Sequence, residues 1–462
     1  MGIWEYILNK LTYNIGIDLG TSTTLVSIEK IGIVTKEPSV VAINKKNNQI
    51  LAVGEEAKRM VGRTPGDIVA IRPLRNGVIT DFEMTEAMLK YFVDIAHDRA
   101  RQKSNTIAAS FMILRPRVVV GVPSGITEVE RRAVVDAAER AGAREVYIIE
   151  EPMAAAIGAG LAIENPSGTM IVDIGGGTSD IAIISLGSVV VDNTIRLAGD
   201  AIDAEIIHHA KNKWGLQIGD RTAEDLKIAV GDLLIHENKR NNQSIIENKS
   251  VLEKDLKKMK EDEEIKIERK RVEIEVLKSK EISKQLGKNG NFKITDSLAK
   301  INQSELSDKV RRRLEELDNE LVNMVKQFSE KEEEIERELN KSDEFVEPTM
   351  EIRGRDIKTG LPKSLMISSS DVYDPIAKVI DEIIDATRGA IDQAPPEILG
   401  DLLKNGITLT GGGALIRNID KYFEQRIGTP VKICDDPVSA VVRGCTAVLQ
   451  EIELLKRIQK DD

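Results

Sequence analysis

Apolar residues fall along this chain in two rhythms: short runs that read as strands, and stretches with 3–4 spacing that read as helices. The clearest strand pair is Met170-Ile-Val-Asp-Ile-Gly-Gly-Gly-Thr-Ser-Asp-Ile-Ala-Ile-Ile184. Apolar runs flank a glycine turn, and Asp173 stands where the first run ends. Asn14-Ile-Gly-Ile-Asp-Leu-Gly-Thr-Ser-Thr-Thr-Leu-Val-Ser-Ile28 repeats the design. Overlaid, Asp18 falls on Asp173, Gly20 on Gly175 and Thr23 on Thr178, about 155 residues apart. One supersecondary unit met twice predicts two related halves facing one another. Between and after these units the rhythm is helical. A helix is predicted over 126–142, with Thr127 as N-cap and Glu128 and Glu130 in its first turn. Another opens at Glu150-Glu151-Pro152, with proline in its first turn. A third starts behind Thr222 as N-cap, with Asp225 at the third helical position. A long one runs over 370–394 and stops before Pro395-Pro396. Gly406 to Ile416 reads as a buried strand, a glycine turn and a helix start. Strands and helices in this alternation predict an α/β chain.

Residues 236–346 break the pattern. Lys, Glu, Arg and Asp dominate, which usually means a solvated face or disorder. Yet Val310, Leu314, Leu317, Leu321, Met324, Phe328 and Ile335 keep a heptad-like spacing, interrupted at Lys331. In the first part Leu252, Leu256 and Met259 begin a seam, and Ile267, Ile274 and Leu277 resume it in another register. Gly287-Lys-Asn-Gly-Asn291 lies between and suits a turn. The expectation is an antiparallel coiled-coil hairpin about 60 Å long at 1.5 Å per residue, with a single extended helix or partial disorder as the alternative. The expected division is therefore a short helix over 1–12, a first half over 13–155, a second half over 156–235 and 347–440 interrupted by 236–346, and a C-terminal helix and tail over 441–462.

Two short apolar segments stand apart. Ile3, Trp4, Ile7 and Leu8 share one face of the N-terminal helix, which either docks on its own domain or lies in a membrane interface. Phe111-Met112-Ile113-Leu114 sits between polar flanks, as a strand tucked into the core or as an apolar loop tip.

Composition narrows the classes. With 462 residues the chain holds more than one domain, and a net charge of −11 gives no global reason for nucleic-acid binding. The two cysteines, Cys434 and Cys445, have no metal-ligand partners around them, so a reduced cytoplasmic protein is expected. No apolar run approaches the roughly 18–20 residues that span a bilayer, and no signal-peptide cleavage pattern appears. Gly2 lacks the following Ser or Thr of a myristoylation signal.

The candidate chemistry lies in the glycine turns. Gly175, Gly176 and Gly177 are expected to take positive φ and turn their N–H groups toward a bound group. A concave row of N–H groups is an anion site, though a lone glycine run is equally a tight hairpin in a β core. The pairing of Asp18 and Asp173 favours the first reading. Two Asp-tipped hairpins clamp a triphosphate, while their carboxylates hold the water shell of Mg²⁺.

The residues that carry a family resemblance are Asp18-Leu-Gly-Thr21, Glu37-Pro-Ser-Val40, Ala70-Ile-Arg-Pro-Leu74 with Gly77-Val-Ile79, and Val120-Gly-Val-Pro-Ser124. Glu130-Arg-Arg-Ala133, Glu150-Glu-Pro-Met-Ala-Ala-Ala-Ile157, Asp173-Ile-Gly-Gly-Gly-Thr178 and Thr410-Gly-Gly-Gly-Ala414 complete them. The chain resembles the actin-like ATPases, and most closely the MreB family of bacterial filament proteins, from about Asn14 to Leu455. The hairpins are common to the superfamily; the run from Ala70 to Gly77 and the Glu-Pro-Met-Ala-Ala-Ala helix are narrower signals.

The resemblance implies two ribonuclease H-like halves around a nucleotide cleft, with a helical hairpin inserted where the family has a short connection. It implies ATP and Mg²⁺ as cofactors and a slow hydrolysis coupled to polymerisation. Glu151 and Thr178 would position the attacking water, and Asp18 and Asp173 would hold the metal through water. Thr21, Ser22, Thr23, Gly175, Gly176 and Gly177 would bind phosphate. Glu224, Asp225, Leu226 and Lys227, with Gly412, Gly413, Ala414 and Leu415, would line the adenosine. Asp225 stands where the family has Arg, Ala229 where it has a second Glu, and Ser179-Asp180 where Thr-Glu is common. Ile3, Trp4, Ile7, Leu8 and Phe111 to Leu114 would enter the membrane.

The implied function is a filament, in paired protofilaments at the inner face of the cell membrane, that organises membrane-bound cell-wall synthesis proteins and maintains rod shape. No partner is assigned to the insertion. A plasmid- or organelle-segregation filament is the nearest alternative and would lack the two apolar segments. A heat-shock chaperone would need a substrate-binding domain after the last ATPase element, and a sugar kinase a base facing an acceptor hydroxyl.

Overall fold

The computed structural model describes residues 13–62, 66–103, 115–286, 308–340 and 345–449. Ile3, Trp4, Ile7 and Leu8, and Phe111, Met112, Ile113 and Leu114, lie outside them. Two compact units result: residues up to Ile235 together with those from Glu347, and His236–Val346.

In the first unit the chain begins with β1 (Asn14–Leu19), β2 (Thr23–Ile28) and β3 (Gly32–Pro38). A small sheet of β4 (Val41–Asn44), β5 (Gln49–Val53) and β6 (Ile68–Ile71) follows, then a ribbon of β7 (Leu74–Arg75) and β8 (Val78–Ile79). Strands β9 (Arg117–Val122) and β10 (Glu145–Glu150) return to the first sheet, giving the order β10-β9-β1-β2-β3. The second half begins with β11 (Thr169–Ile174), β12 (Ser179–Ser185) and β13 (Ser188–Ile195). A second small sheet holds β14 (Leu216–Gln217), β15 (Thr349–Asp356) and β16 (Pro362–Ser368). β17 (Ile407–Thr410) and β18 (Val431–Ile433) complete the order β13-β12-β11-β17-β18.

The two large sheets share both topology and register. Asp18 pairs with Leu25 and Asp173 with Asp180 in antiparallel hairpins, and β1 and β11 each take a parallel neighbour, through Asp18–Gly121 and Asp173–Thr410. The hairpin overlay read from the sequence is therefore a register-exact repeat.

Each half has its own core. Met88, Leu89, Phe92 and Val93 of the Phe82–Lys103 helix share one core cluster with residues of β1, β2 and β9, while Val372, Ile376, Ile380, Ile383 and Ile384 of the Ser369–Gln393 helix serve the second half. A third cluster joins the sheets through two helices, Glu151–Gly158 and Ala440–Val448. They cross backbone to backbone: a Cβ on Gly158 would strike the carbonyl of Ala440, and one on Gly444 that of Ala154. This crossing sets Glu151 against the end of β1.

Local signals mostly hold. Thr127 caps the Glu128–Arg140 helix in a capping box with Glu130. The Asp220–Val230 helix departs from expectation: its N-cap is Gly219 with no side-chain bond, so Thr222 and Asp225 lie inside it. Glycine accepts the extended N-cap backbone at a cost of only a few tenths of a kcal/mol.

The second unit is an antiparallel pair of helices, Ile235–Leu286 and Asp308–Asn340. Ile274, Leu314 and Leu317 are buried, with Leu277, Val310 and Leu321 against them. Lys260–Glu332 (2.5 Å) and Lys270–Glu320 (2.6 Å) cross between the helices and fix the antiparallel register. Asn242 bonds the backbone of Phe345 in both directions, at 2.9 and 3.2 Å. The interruption expected at Lys331 is resolved: Lys331 is exposed, and Glu332 takes the seam position and meets Lys260. On the first helix the inward positions Met259, Glu263, Ile267 and Lys270 show two successive four-residue steps, which accounts for the change of register.

Candidate functional site

The two hairpins meet across a cleft of about 350 Å³. Their turns touch directly. A Cβ on Gly176 would lie 2.6 Å from that of Ser22, and one on Gly177 would lie 2.7 Å from Thr21 Oγ1 and 2.9 Å from the Asn76 nitrogen. The expectation of positive φ at Gly175–Gly177 is wrong: none of the three has a left-handed backbone, and the positive-φ glycines beside the cleft are Gly77 and Gly411. Close approach of the opposite turn is what excludes a side chain there. The Gly175 N–H closes its own hairpin on the Thr178 carbonyl at 2.9 Å, which leaves those of Gly176 and Gly177 outside that bond.

Side chains from distant parts of the chain hold the turns in place. Thr21 Oγ1 accepts the Gly77 N–H at 3.0 Å. The Asp200 carboxylate accepts Ser22 Oγ and the Arg72 guanidinium, both at 3.0 Å, while its own N–H donates to the Gly176 carbonyl at 2.7 Å. Asp200 thus ties both glycine turns and the Ile-Arg-Pro segment to one point.

Charge in the cleft is predominantly acidic. Asp18, Glu151, Asp173, Asp200, Asp203 and Glu224 line it, against Lys36 and Lys227. Burial, then the facing Asp173 carboxylate, pushes Asp18 up to about 8. Asp173 rises to about 7 through burial, opposed by the Thr410 hydroxyl that donates to it at 2.7 Å. Glu151 is raised by burial and then by Asp180, Asp18 and Asp173. Asp180 is buried behind Thr178; Thr194 Oγ1 donates to it at 2.6 Å and the Ser124 N–H at 3.4 Å. Thr178 also bonds Asp180, and this set of donors opposes the burial that lifts Asp180 to about 6.

On the opposite wall Lys227 pairs with Asp203 at 2.9 Å and donates to the Gly199 carbonyl at 3.0 Å. Lys58, from the helix beside β5, reaches Glu224 at 2.8 Å. Ile228 and Leu415 line the cleft yet stay 69% and 61% exposed, which leaves apolar surface for a flat ligand. A Cβ on Gly412 would meet nothing within 4 Å, so this turn stands open.

Residues 12–327 and 307–457 match the MreB/Mbl protein family. The chain belongs to the MreB/Mbl family. Among relatives, it is 35% identical to the cell shape-determining protein Mbl of Bacillus cereus over 96% of this chain and 98% of that one. Identity to the cell shape-determining protein MreB of Escherichia coli K12 is 34%, over 96% and 94%. Among solved structures, MreB5 of Spiroplasma citri bound to AMPPNP matches with a TM-score of 0.66 at 30% identity, over 98% of this chain and 99% of that one. The ADP-bound form gives 0.65 at 31%, over 96% and 97%. The MamK filament structure, at 17% identity and a TM-score of 0.59, shares the actin-like fold.

Of the residues that the MreB resemblance singles out, Asp18, Thr21, Ser22, Thr23, Glu151, Asp173, Gly175, Gly176, Gly177, Thr178, Glu224, Lys227, Gly412, Gly413 and Leu415 line the cleft. Three do not. Asp225 turns out to solvent beside Arg221, and Leu226 and Ala414 are core residues with no exposed surface. The helical period explains Leu226: Glu224, Lys227 and Ile228 share the cleft face, and Leu226 the opposite one. Lys36, Gly77, Asp200, Asp203 and Ile228 also line the cleft and were missed. Asp200 had the strongest available signal, since it follows Gly199 at a strand-to-helix turn.

Proposed function

We propose that this chain is an ATP-dependent, self-assembling actin-like protein that determines cell shape by organising cell-wall synthesis at the inner face of the membrane. The observation that supports it most is the register-exact pair of Asp-tipped hairpins closing on one cleft, in a family whose relatives are named for cell shape. The bound AMPPNP and ADP of the Spiroplasma relative support a nucleotide in that cleft.

The lining fits a metal nucleotide. Six carboxylates against two lysines repel a bare polyphosphate; burial first, then Asp173 for Asp18 and Asp180 for Asp173, raises both aspartates, and a cation held between them would offset that cost. Asp18 and Asp173 would hold the hydrated Mg²⁺, and Gly176 and Gly177 would offer N–H groups to phosphate. A bound Mg²⁺ supplies charge neutralisation at the phosphates. Thr178, held by Asp180, would orient the attacking water, and Glu151, whose raised pKa makes its ionised carboxylate a stronger base, would take the water's proton. Ile228 and Leu415 would sandwich the base.

Among the described residues no helix is long and apolar enough to cross a membrane. Membrane attachment therefore rests on the sequence pattern of Ile3, Trp4, Ile7, Leu8 and Phe111–Leu114, at about 1.5–3 kcal/mol per buried apolar side chain. Co-sedimentation with liposomes, with and without Mg-ATP, tests both parts. Polymer that pellets with vesicles is expected. A chain that stays monomeric in either condition defeats the filament reading, and polymer that ignores vesicles defeats only the membrane attachment.

A further inference from the structure

The helix Ile235–Leu286 carries a second stripe on the face turned away from its partner helix. Ile274 is buried in the seam, with Leu277 against it. Val272 and Val276, two residues to either side of Ile274, stay 49% and 43% exposed. Ser279 and Ser283 are exposed as well. Steps of 4, 3 and 4 residues put these four side chains on one face, within an arc of about 60° at 100° per residue. By that step one helix meets another, and the helix Asp308–Asn340 already fills the seam on the other side.

The serines suit a close contact. Ser279 Oγ donates to the Val276 carbonyl at 3.0 Å and Ser283 Oγ to the Ser279 carbonyl at 2.8 Å. Each hydroxyl is satisfied within its own helix, so covering it strands no polar group. Two valines followed by two small residues are also self-complementary in shape. A second copy of the helix laid antiparallel would set Val272 beside Ser283 of the other copy, and Val276 beside Ser279 of the other copy, large against small in every layer.

Charge chooses between the two directions of pairing. In Glu273-Ile-Glu-Val-Leu-Lys-Ser-Lys280 two acids precede two bases. Glu273 and Lys280 stand on the same flank of the stripe, seven residues apart. Like flanks face one another in an antiparallel pair, so Glu273 would meet Lys280 of the other copy, and the two-fold axis would repeat the bond. A parallel pair would gain Glu275 against Lys280 but oppose Glu273 to Glu268 of the other copy. Both groups are available. Glu273, bridged to Lys270 at 3.4 Å and to Arg313 at 4.0 Å, keeps 47% of its side chain exposed, and Lys280 has no ion pair among the described residues.

We propose that the helical pair is a dimerisation arm: the stripe from Val272 to Ser283 of one copy packs antiparallel on the same stripe of a second copy, flanked by two Glu273–Lys280 ion pairs. The contact lies wholly within the inserted unit, so it does not rest on the filament reading. It is isologous and joins copies two at a time. An overlap of about 16 Å covers far less than the roughly 1,200–2,000 Å² of a stable interface. A single pair therefore exchanges readily, and copies held in one assembly gain by multivalency.

Disulfide trapping on the full chain without nucleotide tests it. Val272→Cys and Ser283→Cys are made separately. The two positions lie about 16 Å apart along the helix, too far for an antiparallel pair to link either variant to itself. Mild oxidation of a one-to-one mixture is expected to give a heterodimer at least tenfold faster than either variant alone gives a homodimer. The unsubstituted chain, with Cys445 buried and Cys434 half-buried, sets the baseline. Adding Glu273→Lys to both cysteine variants is expected to slow trapping at least tenfold. With Glu273→Lys on the Val272→Cys chain and Lys280→Glu on the Ser283→Cys chain, opposite charges meet again and the rate is expected to return, which a variant that failed to fold could not do. Homodimers from each variant alone mark a parallel pair, and no trapping above the baseline means that something else occupies the stripe. Either result overturns the proposal, as does trapping that ignores the charge reversals. Polymerisation with Mg-ATP is scored separately, so a chain that traps but never assembles defeats only the filament reading.

Discussion

Replacing Asp18 by asparagine removes one ionisable group from the acidic cleft while keeping its shape. Asp18 is pushed up to about 8 from its ordinary 3.8, by burial first and Asp173 second. The sign follows from proton counts. Between about pH 4 and pH 8 the folded chain holds a proton on Asp18 that the unfolded chain has released, so stability falls as pH rises through that window. Below it both states are protonated; above it both are ionised and the full penalty stands. Each pKa unit is worth about 1.4 kcal/mol, so the ionised carboxylate costs the folded chain several kcal/mol by pH 9. The substituted amide never ionises. The nucleotide-free D18N chain is therefore expected to match wild type near pH 4 and to melt several degrees higher at pH 9, followed by circular dichroism. Adding Mg-ATP should raise the wild-type midpoint at pH 8 and leave D18N nearly unmoved, because a cation between Asp18 and Asp173 reverses the penalty. Parallel curves for the two proteins from pH 5 to 9 would refute the repulsive carboxylate pair.

Two glycine substitutions should separate fold from ligand. G176A drives a Cβ into Ser22 and is expected to cost about 1–3 kcal/mol by forcing the turns apart; a melting midpoint equal to wild type would contradict the close approach. G412A meets nothing within 4 Å and should melt as wild type, yet bind nucleotide more weakly. Glu151→Ala should slow phosphate release by about 10²-fold or more while leaving Mg-ATP binding intact; unchanged release in single-turnover assays would remove Glu151 from the chemistry. In the helical pair, Leu317→Ala should cost about 2–5 kcal/mol of the pair's stability because Leu317 is fully buried. Nucleotide binding should persist, and its loss would tie the pair to the cleft.

What could be read in advance follows from the range of each interaction. The repeat of Asp18 in Asp173 was legible because a strand-turn-strand unit leaves its residues in order, and its register then proved identical in both halves. Thr127 and Glu130 announced their helix because a capping box spans only four residues. The inward positions of the Asp308–Asn340 helix were legible from Val310 to Phe328 for the same local reason. Asp200 was not, because its partners Ser22 and Arg72 come from far along the chain and no spacing records them. The glycines were read for the wrong property: Gly176 and Gly177 are excluded from bearing side chains by the opposite turn, which only the assembled fold displays. Asp225 and Leu226 were drawn in by adjacency to Glu224, although the helical period turns them away from the cleft.

The duplicated hairpins are alike in backbone and unlike in the two residues that flank each aspartate. Beside Asp173 stand Asp180 and Thr410; the matching positions beside Asp18 are Leu25 and Gly121. The Thr410 hydroxyl bonds Asp173 and holds it lower, whereas Gly121 offers Asp18 no hydroxyl, and Asp18 is raised further. Gly121 has a steric duty instead. A Cβ there would come within 2.8 Å of Val441, so the glycine makes room for the Ala440–Val448 helix, with the Glu151 side chain at ordinary contact distance beside it, 3.7 Å. On the other hairpin Asp180 anchors Thr178 from behind, while Leu25 is buried and anchors nothing polar. On the proposed reading, the shared backbone grips the nucleotide from both sides, and hydrolysis arises where the copies differ. The second hairpin contributes an oriented hydroxyl, and the first contributes the aspartate whose charge acts on Glu151.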